Sequence, residues 1–159
     1  MRDRFSPPFS GPNMEAILFI GLPASGKSTF YIERFFHSHM RISLDLLKTQ
    51  NRVRRFVSMC LETGQPMVID NTNVTRQLRA AFIAASRAAE FRVVGYYFQS
   101  KVDDCLGRNA TRTNRVPEVA ILDFAKKLEL PSREEGFDEL YYVSMGEAGF
   151  RVEEWRDDL

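Results

Sequence analysis

The chain has 159 residues, of which 44% are hydrophobic, enough to bury the core of one domain and too few for two. Lys and Arg number 22 against 21 Asp and Glu, and a net charge of +1 excludes the broad basic surface of a duplex-binding protein. An anionic ligand would have to be met locally.

The first thirteen residues, with three prolines, a glycine and two serines, read as a flexible segment outside the fold, leaving 14–159 as one domain. Glu15–Ile20 is a short apolar run ending at a glycine, the pattern of a buried parallel strand. A glycine-rich turn follows, then a helix from Ser28 to about His37 and a second strand over Arg41–Leu44 with Asp45 at its end. Apolar residues at helical spacing from Leu46 to about Thr63 predict one helix, stopped by Gly64. Met67–Asp70 reads as a third strand, a helix passes through Leu78, Phe82, Ile83 and Ala89, and Phe91–Phe98 is the clearest strand. A helix carrying Leu106, Arg108 and Arg112 comes next. Pro117 fits the first turn of a further helix reaching Leu128, and Leu140–Val143 is the fifth strand. This alternation predicts an α/β fold, a parallel sheet of about five strands with helices on both faces.

No run approaches the ~20 apolar residues of a membrane span, and the N-terminus lacks the apolar core of a secretory signal. Cys60 and Cys105 lie far apart, without CxxC or histidine spacing for zinc, so a reduced, cytoplasmic protein is expected. His37 and His39 are expected to be ordinary surface residues.

Gly21-Leu22-Pro23-Ala24-Ser25-Gly26-Lys27-Ser28 matches G-x-x-x-x-G-K-[ST] at every fixed position, between a strand and a helix as the motif requires. The glycines let backbone N–H groups approach phosphate oxygens, and the helix N-terminus adds favourable partial charge. Lys27 is expected to reach the β- and γ-phosphates of ATP, Ser28 to ligate Mg2+, and Thr29 to meet a further phosphate oxygen. No Asn-Lys-x-Asp run for guanine is present, so ATP is the expected nucleotide.

Asp45 is expected at the carboxyl edge of the sheet, where it can accept a hydroxyl proton; its alternative is a helix N-cap. Lys48, three residues on, would share a helix surface with it and hold an anionic acceptor, or else be a surface lysine. Arg52, Arg54 and Arg55 extend the charge but fit an exposed helix face equally well. Asp70 ends a strand where a carboxylate near Mg2+ is needed. Asn71, Thr72 and Asn73 follow as acceptor-binding residues or a capped turn. Arg108 and Arg112, four apart, would share a face of a closing helical lid and stabilise the transferring phosphoryl group, unless they form a solvated basic face.

Gly21–Thr29, Val68–Asn73, Arg108-Asn109 with Arg112, and Leu130-Pro131 through Glu135-Gly136-Phe137 together resemble the kinase module of polynucleotide 5′-hydroxyl kinases, the P-loop enzymes of nucleic acid end repair. The resemblance spans about Glu15 to Val143. It implies that Asp45 is the general base, that Lys48 contacts the acceptor's phosphate and that Arg112, with Arg108 beside it, engages the donor phosphates. The residue before the base, often arginine in the family, is Leu44 here. The D-x-D-x-T motif of an attached phosphatase is absent, so end-phosphate removal is not expected.

The expected function is transfer of the γ-phosphate of ATP to a hydroxyl, foremost the 5′-OH end of DNA or RNA. The rival acceptors are small molecules: a sugar acid, a nucleoside or an antibiotic. A non-catalytic nucleotide-binding regulator is the third reading, opposed by Asp45 beside a full P-loop.

Overall fold

The computed structural model describes residues 14–158; the segment 1–13 expected to be flexible lies outside the described residues. The strands are β1 (Glu15–Ile20), β2 (Met40–Ile42), β3 (Met67–Ile69), β4 (Arg92–Phe98), β5 (Glu139–Gly146) and β6 (Gly149–Glu154). The helices are α1 (Lys27–Arg34), α2 (Leu44–Leu47), α3 (Gln50–Thr63), α4 (Arg76–Ala88), α5 (Val102–Thr111) and α6 (Glu118–Lys127), and a 3-10 turn covers Arg133–Glu135.

The strands form one sheet in the order β2-β3-β1-β4-β5-β6, parallel through β5, with β6 antiparallel at the edge. The most apolar strand, β1, therefore lies between β3 and β4. Its side chains alternate in direction, so Ala16, Leu18 and Ile20 join Val53 and Val57 of α3 and Ile83 of α4 on one face. Ile17 and Phe19 join Phe30 and Tyr31 of α1 on the other. Helices thus cover both faces, as expected. Beyond the strand, Leu22 packs with Cys105 of α5 and Ile121 of α6, which seats the α5–α6 hairpin beside the glycine-rich turn.

Several boundaries differ from the sequence reading, each for a local reason. The second strand ends at Ile42, and Leu44 already begins α2. The single helix expected over Leu46–Thr63 is broken at Lys48, whose φ of 73° is left-handed; α3 restarts under Thr49, whose side chain accepts from the Arg52 N–H. Lys48 and Asp45 therefore do not share a helix surface. Arg112 lies just past α5 in extended backbone, so Arg108 and Arg112 do not stack one turn apart. Pro117 precedes α6 rather than sitting in its first turn. The sixth strand, Gly-Phe-Arg-Val-Glu-Glu, is a largely exposed edge strand and gave no apolar run to read. His39 is more enclosed than expected, its Nε2 lying 3.1 Å from Glu15 Oε1.

A buried arginine ties the second half of the domain together. Arg79 is fully buried, donates from Nε and Nη2 to the two carboxylate oxygens of Glu135 at 2.8 and 3.2 Å, and from Nη1 to the carbonyls of Asn73 and Glu129 at 2.9 and 3.1 Å. Glu135 in turn closes a capping box with Ser132. Removing one member of such a pair leaves the other charge uncompensated, so Arg79→Met is expected to cost about 3–5 kcal/mol of unfolding free energy. Arg79→Lys should recover only part, lacking the bidentate fork. Denaturant midpoints measure this; a loss below about 1 kcal/mol would contradict it.

Candidate functional site

The sharp turn after β1 is built from residues that tolerate crowding. A Cβ on Gly21 would lie 2.8 Å from Ser25 Oγ and 3.1 Å from Phe98 Cβ. Gly26 has φ 100° and no room for a side chain beside Met145 and Phe150 of the β5–β6 hairpin. The loop is fastened from three sides: Gly21 N–H donates to the Thr72 carbonyl (3.0 Å), Leu22 N–H to Ser100 Oγ (3.0 Å), and Arg108 Nε to the Ala24 carbonyl (2.7 Å). Ala24 itself is left-handed, with φ 63°. Ser25 Oγ is buried and has no hydrogen-bond partner among the described residues.

This turn forms one wall of a cleft of about 320 Å3 at the carboxyl edge of the sheet. Pro23, Ala24, Gly26, Lys27, Ser28 and Thr29 line it; Gly21, Leu22 and Ser25 support it from beneath. Asp70, Asn71 and Thr72 come from the end of β3, Asp45 and Leu44 from α2, and Arg108 and Arg112 from the α5 side. Val116, Phe124 and Met145 give it an apolar portion that could receive a flat ring.

Besides Gly21, Leu22 and Ser25, two residues named from the sequence, Lys48 and Asn73, are not among those lining the cleft. Lys48 follows the break after α2. Asn73 is buried with φ 46°, and its side-chain amide donates to the Phe19 carbonyl at 2.7 Å, bracing the end of β1. Asn71 has a positioning contact as well: its Oδ1 accepts the Leu44 N–H at 2.7 Å, fixing the start of the helix that carries Asp45. Arg41, read from the sequence only as a strand residue, also lines the cleft. It donates from Nε to Asp70 Oδ2 (2.7 Å) and from Nη2 to Ser28 Oγ (3.1 Å). The signal was an arginine within a short, otherwise apolar strand.

The charges are arranged by burial. Lys27 donates from Nζ to the carbonyls of Gly21 and Leu22 at 3.0 and 2.7 Å. Burial lowers its pKa from the ordinary lysine range to about 8, with Asp70 opposing the shift. Ser28 donates to Asp70 Oδ2 at 3.1 Å, and the Asp70 side chain is only 2% exposed. Asp45 and the guanidinium of Arg112 face the cleft with no hydrogen bond or ion pair among the described residues.

The Lys27 shift has a testable sign. Desolvation disfavours its charged form, whereas a polyphosphate favours it, so nucleotide binding above pH 8 must be accompanied by proton uptake. Nucleotide affinity is expected to be level just below pH 8 and to fall by up to about tenfold per pH unit above it. Stability of the free protein should run the other way, rising from pH 8 towards the unfolded-state lysine pKa because the unfolded chain binds more protons there. Calorimetric titration with ADP between pH 7.5 and 9.5 checks the first; an unchanged Kd would contradict it.

Comparison with known proteins matches residues 37–131 to a family model described as AAA domain, a stretch that begins after the glycine-rich turn. Among curated proteins, the chain is 28% identical over 131 residues to a bifunctional polynucleotide phosphatase/kinase of Schizosaccharomyces pombe, covering 79% of this chain and 32% of that protein. It thus spans about a third of that relative's length. Among solved structures, Kti12 of Chaetomium thermophilum in complex with ADP-AlF3 superposes with a TM-score of 0.63 at 15% identity, covering 84% of this chain and 92% of that one. A gluconokinase from Sinorhizobium meliloti 1021 superposes with a TM-score of 0.57 at 17% identity, covering 84% of each chain. At such identities the structures establish a shared α/β fold and nothing about the acceptor.

Proposed function

The chain belongs to the AAA domain family, and from that premise we propose that it is an ATP-dependent kinase acting on the 5′-hydroxyl end of DNA or RNA. The observation that carries the proposal is the Asp45 carboxylate, without a hydrogen bond or ion pair among the described residues, in the same cleft as Lys27 and Ser28. A regulator that only binds nucleotide has no use for a free carboxylate opposite the phosphate cradle. A kinase needs one.

In this reading the loop amides and Lys27 hold the β- and γ-phosphates, and Arg112 meets charge that develops on the transferring group. Asp45 takes the proton from the acceptor hydroxyl. The acceptor oxygen forms its bond to the γ-phosphorus as the bond from that phosphorus to the bridging oxygen breaks, and ADP leaves with that bond's electron pair. Ser28 and Asp70 fit Mg2+: a hydroxyl and a buried carboxylate that already share a hydrogen bond are the hard oxygen donors it takes, with phosphates and water completing its shell. When bound, Mg2+ would neutralise charge on the β- and γ-phosphates. Among the described residues no group of three or more acidic, histidine or cysteine side chains is placed to hold a metal.

The nucleic acid acceptor is supported by the resemblance of the sequence blocks and by the kinase-named relative. Small-molecule acceptors remain the rival because the fold is shared with a gluconokinase. Initial rates with radiolabelled ATP on a 5′-OH oligonucleotide, gluconate, nucleosides and aminoglycosides separate the two. Preference for the oligonucleotide is expected; labelling of a metabolite alone would replace this proposal with the rival. No helix among the described residues is long and apolar enough to cross a membrane.

A further inference from the structure

We infer that Arg41 is a built-in counter-ion of the Ser28–Asp70 pair, competing with the divalent cation for it, so that the cation arriving with a nucleotide frees the Arg41 guanidinium into the acceptor half of the cleft. This rests on the reading of Ser28 and Asp70 as the cation's protein partners.

The three side chains form a closed triangle. Ser28 gives its proton to Asp70 Oδ2 at 3.1 Å, Arg41 Nε donates to the same oxygen at 2.7 Å, and Arg41 Nη2 donates to Ser28 Oγ at 3.1 Å. Asp70 Oδ2 therefore accepts twice, and the serine hydroxyl has its proton and one of two acceptor positions engaged. A cation needs lone pairs on these same atoms. Two positive charges within contact distance of one another and of one buried carboxylate repel strongly where water is excluded, so one must yield.

Arg41 is the one able to move. Its side chain is 29% exposed against 2% for Asp70, and it stands on β2, a strand of three residues at the edge of the sheet. Among the described residues it is also the only cleft-lining cation paired with an acidic side chain: Lys27 and Arg108 are held by backbone carbonyls. β2 leads directly into Ser43 and α2, so a released guanidinium stays on the same side of the cleft as Asp45. There it supplies the planar two-pronged phosphate contact that Lys48, outside the lining, does not.

The test is a Mn2+ titration followed by electron paramagnetic resonance in the presence of ADP, on the wild-type protein, Arg41→Gln, Arg41→Lys and Asp70→Asn. Losing the internal competitor should tighten Mn2+ binding by about five- to thirtyfold in Arg41→Gln, the range for a partly exposed charged hydrogen-bond pair. Arg41→Lys should fall between. Asp70→Asn should weaken binding by about tenfold or more. In the wild type, the Arg41 Nε–H resonance, identified by its loss in Arg41→Lys, should shift and exchange faster with Mg2+ and ADP together but not with ADP alone. Unchanged or weaker Mn2+ affinity in a folded Arg41→Gln, or an Nε–H resonance that does not respond to Mg2+, would overturn the inference. Should Arg41→Gln fail to fold, the wild-type resonance decides. An Asp70→Asn protein that binds Mn2+ normally would instead remove the cation site itself, and the inference with it.

Discussion

Lys27→Ala is expected to leave the sheet intact and to lower phosphoryl transfer on the order of 10³-fold or more, the scale at which single cationic or hydrogen-bonding groups stabilise a transferring phosphoryl or an oxyanion. The residue sits at the start of α1 and its ammonium donates to the Gly21 and Leu22 carbonyls, but the turn is also shaped by Gly21 and Gly26 and held by the clasp from Arg108. Its burial disfavours the charge in the free protein, where Asp70 offsets part of that cost, and phosphates offset more of it when they arrive. The loss should therefore appear in nucleotide affinity and turnover together, while the thermal midpoint moves little. A folded Lys27→Ala protein that transfers phosphate at the parent rate would show that the turn is not used as a cradle.

Asp45→Asn should behave differently. It keeps the size of the side chain and removes its proton affinity, so ATP binding is retained while turnover falls by about 10² to 10⁴, the usual contribution of a positioned general base. The helix that presents Asp45 is held by the Leu44 N–H to Asn71 bond, and among the described residues the Asp45 side chain makes no hydrogen bond or ion pair that this exchange would break. A melting curve matching that of the wild type, with turnover reduced and Kd for ATP unchanged, is the expected result. Unchanged turnover would remove Asp45 from the chemistry.

The parts of this site that could be read from the sequence are those fixed by contiguous residues. The phosphate turn is one unbroken motif, and β1, β3 and β4 are apolar because both faces of a parallel sheet are covered. What could not be read depends on contacts between segments. The break at Lys48 arises because Thr49 caps a new helix, a signal present in the sequence but masked by the apolar period that runs across it. Asn73 looked like its neighbours Asn71 and Thr72, and only the fold shows its amide turned inward to Phe19. Arg41 and Arg79 were unremarkable as single residues; each acquires a role through a carboxylate far along the chain, Asp70 and Glu135.

Transfer to a 5′-hydroxyl is decided by where the label ends up. Wild-type protein is incubated with Mg2+, γ-labelled ATP and an oligonucleotide bearing hydroxyls at both ends, and the product is digested to mononucleotides by nucleases that retain the end groups. Label is expected only in the 5′-terminal nucleotide, and an oligonucleotide already 5′-phosphorylated should accept none. Label at the 3′ end, or no labelled oligonucleotide alongside a labelled metabolite, would contradict it.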